Sequence, residues 1–278
     1  MLYQHRPLTE IQKKESLDLY SWDEISEIAN SGKAKNYFAI GDMKEIILDG
    51  IVGDTEFSNC PISVFIIGFD HNPEIEGYNK IHFKLGIVKY NATTNREVAL
   101  EQKSGATMPF ALNSVNEAVE YRDSYLRKTI LGSDVADASS PKENTLLAAL
   151  PLGLRTALKK TPKSMNVGGH FRNEPDKVAN EYLWVLSQKE YLGTENSYEK
   201  NYPTLDARYE YYVKAGTSLP TLYIYKKANN GTASSSGTGS IICRTLHGSN
   251  LKSYYAGTMW TSQAHSNDPI KLTVGFAV

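Results

Sequence analysis

The sequence predicts an α+β fold, and three observations carry that prediction. The first third is rich in strand-like runs, of which "CPISVFIIGFD" (60–70) is almost continuously apolar. The middle holds two segments whose apolar residues recur at helical spacing. The last third returns to short alternating runs separated by long polar stretches.

Taken in order, residues 1–20 are polar, with Pro7 and a Lys13-Lys14-Glu15 run, and read as an N-terminal arm. Residues 21–278 read as a single domain. "SWDEISEIANSG" predicts a short helix: Ser21 can cap it, Glu24 follows three residues later as in a capping box, and Gly32 can end it. Trp22, Ile25, Ile28 and Ala29 share one face of that helix. "KNYFAIGDMKEIILDG" predicts two short strands around a Gly41-Asp42 turn. The apolar run from Cys60 predicts a strand buried on both faces, since a one-sided strand would alternate. "KIHFKLGIVKY" does alternate, through Ile81, Phe83 and Leu85, and predicts a half-buried strand.

The first helical segment carries Val115, Val119, Arg122, Leu126 and Ile130; the second carries Leu146, Leu147, Leu150, Leu154 and Leu158. Pro151 should kink the second or begin a new helix as its first residue. Between the two lies a polar loop, "GSDVADASSPKEN". Later strands are expected at Tyr182–Leu186, Tyr209–Val213, Thr221–Tyr225, Ile241–Leu246 and Leu272–Val278, the last alternating cleanly. "ANNGTASSSGTGS" reads as an exposed loop inside the domain. In "LSQKEYLG", Ser187, Glu190 and Gly193 fit a capped single helical turn. No His partners Ser187 or Glu190 at a readable spacing, so the segment is scaffold rather than a catalytic strand.

Composition bounds the function. The 278 residues are 41% hydrophobic and 22% charged, enough for a real core. A formal net charge of −1 removes the general electrostatic case for nucleic-acid binding. Lys159-Lys160 with Lys163, and Lys226-Lys227, read as solvated surface. Cys60 and Cys243 form neither a disulfide framework nor a zinc site; they read as separate reduced thiols, with Cys60 buried. No apolar run is long enough for a membrane helix, and the first residues hold no signal-like segment, so membrane insertion and export by a cleaved signal are not expected. Without such a signal the sequons at Asn91 and Asn230 carry little weight. Tyrosine stands out, with 18 Tyr against 8 Phe and 3 Trp. It suits binding surfaces, where a flat ring carries a hydroxyl, and also half-buried strand positions.

Catalytic and ligand motifs are sparse. There is no P-loop and no GxSxG elbow, and "GTGSII" precedes a strand rather than a helix, which rules out a dinucleotide fingerprint. His5, His71, His82, His170, His247 and His265 are scattered, with no i, i+4 pair. Asp70-His71 ends the most hydrophobic strand; neighbours on a strand point to opposite faces, so a turn role is favoured over a dyad. Glu174-Pro175-Asp176 is like the calcium motif of sugar-binding lectins, but its partner motif is reduced to Ser266-Asn267-Asp268, and a loop turn is favoured. No catalytic residue, metal or cofactor is therefore predicted.

Several motifs in order resemble the DUF6273 domain of bacteria and their phages. "SWDEISEIANSGKAKNYFAIGDMKEIILDG" is similar to its opening, through Trp22, Ile25, Gly32, Ala34, Phe38, Gly41-Asp42 and Lys44. "VFIIGFDHN" and "KIHFKLG" resemble its signature strands. "SYLRKTIL" with "LLAALPLGLRTALKKTPK" resembles its helical part, through Ser124, Arg127, Leu150-Pro151 and Lys163. "EYLWVLSQKEYLG" and "YEYY" resemble the segments beyond. The resemblance spans about Trp22 to the C-terminus. It implies a C-type-lectin-like fold: two helices, small twisted antiparallel sheets, long loops on one side and paired terminal strands.

That resemblance, together with the missing signal segment, the polar arm, the tyrosine-rich loops and the absent catalytic motifs, leads to the expectation of a non-enzymatic virion protein of a phage or phage-tail-like particle, assembled in the bacterial host cytoplasm. It would be a surface-exposed decoration or host-attachment module on capsid or tail. The arm would contact other virion or tail proteins, the chain would be oligomeric on the particle, and loops from about 226 to 268 would face outward. One alternative is a glycan-binding adhesin, with Tyr254, Tyr255 and Trp260 stacking on a sugar. A second is an enzyme of the formylglycine-generating type, motivated by Cys243 and fold analogy.

Overall fold

A computed structural model describes residues 11–89, 95–108, 110–111, 121–165, 177–193, 206–216, 223–225, 233–236, 241–242, 260–261 and 271–278. The fold is α+β, with short helices set around a curled, mainly antiparallel sheet. The helices are α1 (Trp22–Asn30), α2 (Ala34–Tyr37), α3 (Pro73–Glu76), α4 (Leu146–Ala149), α5 (Leu152–Ala157), α6 (Gln188–Leu192) and α7 (Glu210–Ala215). The strands are β1 (Met43–Val52), β2 (Thr55–Phe69), β3 (Ile81–Lys89), β4 (Asn95–Glu101), β5 (Thr161–Met165), β6 (Lys177–Glu181), β7 (Leu183–Trp184), β8 (Tyr223–Tyr225), β9 (Ala233–Ser236), β10 (Ile241–Ile242), β11 (Trp260–Thr261), β12 (Lys271–Leu272) and β13 (Val274–Ala277).

The N-terminal end of the described chain is part of the fold. Ile11, Leu17 and Tyr20 are buried. Asp18 and Tyr20 present their carbonyls to the Lys44 ammonium at 3.0 and 2.7 Å, and the Asp18 carboxylate accepts from the Glu45 amide. The second half of the expected arm is therefore pinned to β1, and residues 1–10 lie outside the described residues. α1 forms as its sequence predicts. Ser21 and Glu24 close a reciprocal capping box, the four apolar residues are buried, and Gly32 takes the left-handed conformation beyond the end.

The expected first strand before Gly41 is instead α2. Tyr37 and Phe38 both reach the ring of Tyr20, with centroids 6.5 and 5.0 Å away. A strand would send these neighbours to opposite faces. After the Gly41-Asp42 turn, β1 and β2 pair as a long hairpin.

β2 is buried on both faces from Val64 to Ile67, as its unbroken apolar run requires. β3 is more enclosed than its alternation predicts, with every residue from Ile81 to Ile87 buried. The sheet forks at Gly86. Before it, β3 pairs with β13; after it, β3 pairs with β4. Gly86 has φ +102, and a Cβ there would meet the Val98 carbonyl oxygen at 2.1 Å, so the fork needs glycine. The chain's end follows the same fork, because β12 joins β4 while β13 joins β3 and β7. The C-terminal strand thus runs beside β3, whereas β1 pairs with β2; the two end strands do not pair with each other. Phe83 stacks on Phe276 at 5.4 Å, and Trp22 meets both rings edge-on. Each such pair contributes about 0.5–1.5 kcal/mol beyond its buried area.

Other expectations meet mixed outcomes. The leucine stripe from Leu146 to Leu158 is buried, and Pro151 caps α5, separating it from α4. Of the segment from 115 to 131, the described part is a 3-10 turn at Tyr121–Asp123 and a π-helical turn at Leu126–Leu131. Tyr209–Val213, expected as a strand, is the cap and first turns of α7. Glu210 pairs with Lys214 one turn on, Gly216 follows the helix, and Tyr209 and Tyr212 fall on one buried face. Part of the expected loop at 228–240 is β9, which pairs with β8. The described residues contain no helix long and apolar enough to cross a membrane.

Candidate functional site

The fold gathers a buried polar cluster from five separate stretches of chain. β2 ends at Phe69, and the chain then turns through Asp70 and Asn72, both left-handed. Asp70 serves that turn: its carboxylate accepts the Lys80 amide at 2.9 Å. The turn folds His71 inward, and the single turn of α3 delivers Glu76 beside it. His82 comes from β3, Lys163 from β5, Glu190 from α6 and Tyr209 from the cap of α7. Among these six residues, His71 is the most accessible, at 7%.

Lys163 is the hub. Its ammonium lies 2.6 Å from Glu76 Oε1 and 2.6 Å from Glu190 Oε1, and donates to the Tyr209 hydroxyl at 3.2 Å. The Trp184 ring covers it at 4.6 Å. Burying a lone carboxylate or ammonium costs several kcal/mol, so neither the lysine nor the two glutamates would be buried charged without the others. Glu190 also caps α6: its other oxygen accepts the Ser187 amide at 2.8 Å, while Ser187 Oγ accepts the Glu190 amide. The capping box read from the sequence is present, with Gly193 left-handed behind it. One side chain therefore caps the start of a helix and holds an ammonium.

The histidines occupy the other side of Glu76. His71 Nε2 lies 2.7 Å from the Ala207 carbonyl, which can only accept, so this nitrogen carries a hydrogen. His71 Nδ1 is 3.0 Å from Glu76 Oε1, and the ring stacks on Tyr209 at 3.7 Å. His82 Nδ1 lies 3.3 Å from the Tyr209 hydroxyl and 3.7 Å from Glu76 Oε2. Burial, then the positive charges of His71, Lys163, Lys80 and Lys159, hold the His82 pKa well below its usual value, so its ring is neutral near pH 7. Glu76 Oε2 and His82 Nε2 are buried with no hydrogen-bond partner. At the rim, burial and the Lys80 charge push Lys159 down to about 8, and the Lys80 ammonium hydrogen-bonds the Glu76 carbonyl.

A second buried ion pair lies on the same sheet. Lys84 on β3 contacts Glu97 on β4, and the Tyr212 hydroxyl donates to Glu97 at 3.1 Å. The rings of Tyr191, Tyr212 and Phe65 surround the ammonium at 5.1, 5.7 and 5.9 Å. Burial opposes the Lys84 charge, but Glu97 and Tyr191 outweigh it and raise the pKa. Several of the tyrosines that the composition singles out are thus core residues with bonded hydroxyls.

Three sequence readings need correction. Lys163, expected on the surface, is at the centre of the core cluster. His71 and His82, eleven positions apart, bring their ring centroids to 5.6 Å because the β2–β3 connection folds back. Ser187 and Glu190 form the capped turn that the sequence predicts, and Glu190 is also an ion-pair partner. Of the expected glycan-stacking residues, Tyr254 and Tyr255 lie outside the described residues, as do Cys243, Glu174, Pro175 and Asp176. The backbone at Trp260 belongs to β11, paired in parallel with Ile241 of β10. Cys60 is buried, as predicted.

An open groove of about 430 Å³ runs between α1, β1 and α5, with Trp22, Lys44, Ile47 and Pro151 among its walls. It holds none of the cluster's groups. Comparison with known proteins gave no match to a family model, to a curated protein or to a solved structure.

Proposed function

We propose that the chain is a non-enzymatic binding or decoration module of a phage or phage-tail-like particle, built on a C-type-lectin-like scaffold. The observation that carries the non-enzymatic part is enclosure. The groups best suited to acid–base chemistry, His71, Glu76, His82, Lys163 and Glu190, face one another inside the core. Turnover requires a substrate to reach such groups. Here they join α3, α6, β3 and β5, which is the work of a scaffold.

The particle assignment rests on the resemblance to the DUF6273 domain, and host attachment or capsid decoration is the role that it implies. On this reading contacts to other virion proteins run through the N-terminal residues, and a host glycan or protein is met by the segment that carries Tyr254, Tyr255 and Trp260. The test is direct. Tagged protein, expressed during particle production, is followed by sedimentation and by binding to whole host cells. Co-sedimentation with particles or saturable cell binding supports the reading. Neither one, with folded protein, overturns it.

A further inference from the structure

We propose that His71, Glu76 and His82 form a closed binding site for one divalent transition-metal ion, of which Zn²⁺ is the best match. The three donor atoms lie within 4.8 Å of one another. The Glu76 carboxylate bridges the two rings: His71 Nδ1 lies 3.0 Å from its Oε1, and His82 Nδ1 lies 3.7 Å from its Oε2. Ligands about 2.0–2.1 Å from a tetrahedral zinc ion stand roughly 3.3 Å apart, between these two values. The protein groups are close enough to share one ion with little movement.

Two further features point to a cation. Glu76 Oε2 is a buried carboxylate oxygen with no hydrogen-bond partner, and it faces His82 Nδ1. Such an oxygen is costly to leave unsatisfied. His71 also has the outer-shell contact of a metal-bound imidazole: Nε2–H is tied to the Ala207 carbonyl, which orients Nδ1 toward Glu76. The Tyr209 hydroxyl is a further polar group, 3.3 Å from His82 Nδ1.

The donor set selects the metal class. Two imidazoles and one carboxylate suit Zn²⁺ or its neighbours, whereas Ca²⁺ and Mg²⁺ prefer oxygen alone. The neighbouring carboxylates Glu76, Glu190 and Asp206 form an all-oxygen group, but the Lys163 ammonium already sits between Glu76 and Glu190. Binding would displace the hydrogen between His71 Nδ1 and Glu76 Oε1, released to solvent as a proton, and Lys163 would keep its pair with Glu190. The ion would clasp the end of β2, α3 and the start of β3, a structural rather than catalytic arrangement.

The test uses the full chain, stripped with a chelator and then titrated with Co²⁺ and with Zn²⁺. The expected result is one ion per chain by elemental analysis, a visible Co²⁺ band of tetrahedral strength, and a higher Tm with Zn²⁺. His82→Gln should weaken binding beyond the roughly 100-fold that replacing an outer-shell partner costs. Exposed Glu56→Gln should leave it unchanged. Should His82→Gln fail to fold, the wild-type Co²⁺ spectrum and stoichiometry still decide. No retained ion and no shift in Tm would overturn the proposal, as would equal binding by a folded His82→Gln protein.

Discussion

Among the described residues, the two fully buried lysines, Lys84 on β3 and Lys163 on β5, differ in how completely they are answered. Lys84 faces one carboxylate and three aromatic rings, and Tyr212 supplies Glu97 with a further hydrogen bond. Lys163 faces two carboxylates, and the cluster around it retains a polar atom without a hydrogen-bond partner on each of Glu76 and His82. In the Lys84 network one cation meets one anion and a ring of π faces, so its charges are matched. A network with a surplus carboxylate oxygen beside two imidazoles has a place for one more cation. Composition alone would not separate them, since each is a lysine among acids and tyrosines.

The largest effect should come from removing the hub cation. Lys163→Met leaves two buried carboxylates facing each other and should cost about 5 kcal/mol in urea unfolding. Lys84→Met leaves only Glu97, which keeps its bond from Tyr212, and should cost about 3 kcal/mol. Equal costs would remove the distinction between the two networks.

Alkaline pH should act mainly through the Lys84 side. Burial, then the Glu97 charge, raises the Tyr212 pKa well above 10, and burial raises Tyr211 to about 12. A tyrosine whose folded pKa is raised holds its proton where the unfolded chain has lost it. Stability is therefore full below pH 10 and falls as pH rises above 10. Lys84, also raised, acts in the same direction above its unfolded value of 10.5. Tyr212→Phe should flatten the loss of stability above pH 10, measured by denaturant midpoints across the range. An unchanged slope would show that Tyr212 is not the titrating group.

The smallest effects belong to the two capping boxes, which share one motif in different surroundings. Ser187→Ala, in the core, should cost about 1–2 kcal/mol, because it leaves a buried amide unsatisfied and loosens Glu190. Ser21→Ala, at the surface, should cost about 0.5–1 kcal/mol. Thermal unfolding of both variants would rank them.

Much of the scaffold was legible because it follows local rules. The Ser-x-x-Glu pattern marked both α1 and α6, and the unbroken run before Phe69 marked a strand enclosed on both faces. α7 was misread because Tyr209, Tyr211, Tyr212 and Val213 favour strands, while the Glu210–Lys214 pair and Gly216 favour a helix and prevail. The cluster was mostly illegible. Lys163 lies in a basic stretch that looks like surface, and burial of a lysine depends on partners 87 and 27 positions away. His71 and His82 have no ligand-like spacing, and only the return from β2 to β3 through α3 brings them together.

The most direct test of the enclosed cluster compares two proteins, Lys163→Met and Lys163→Met/Glu76→Gln/Glu190→Gln, by urea unfolding. If the charges are sealed from water, the single variant should lose about 5 kcal/mol, and neutralising its stranded carboxylates should recover at least about half. A single variant that loses less than about 1 kcal/mol, as an exposed pair would, or a triple variant no more stable than the single, would contradict the account.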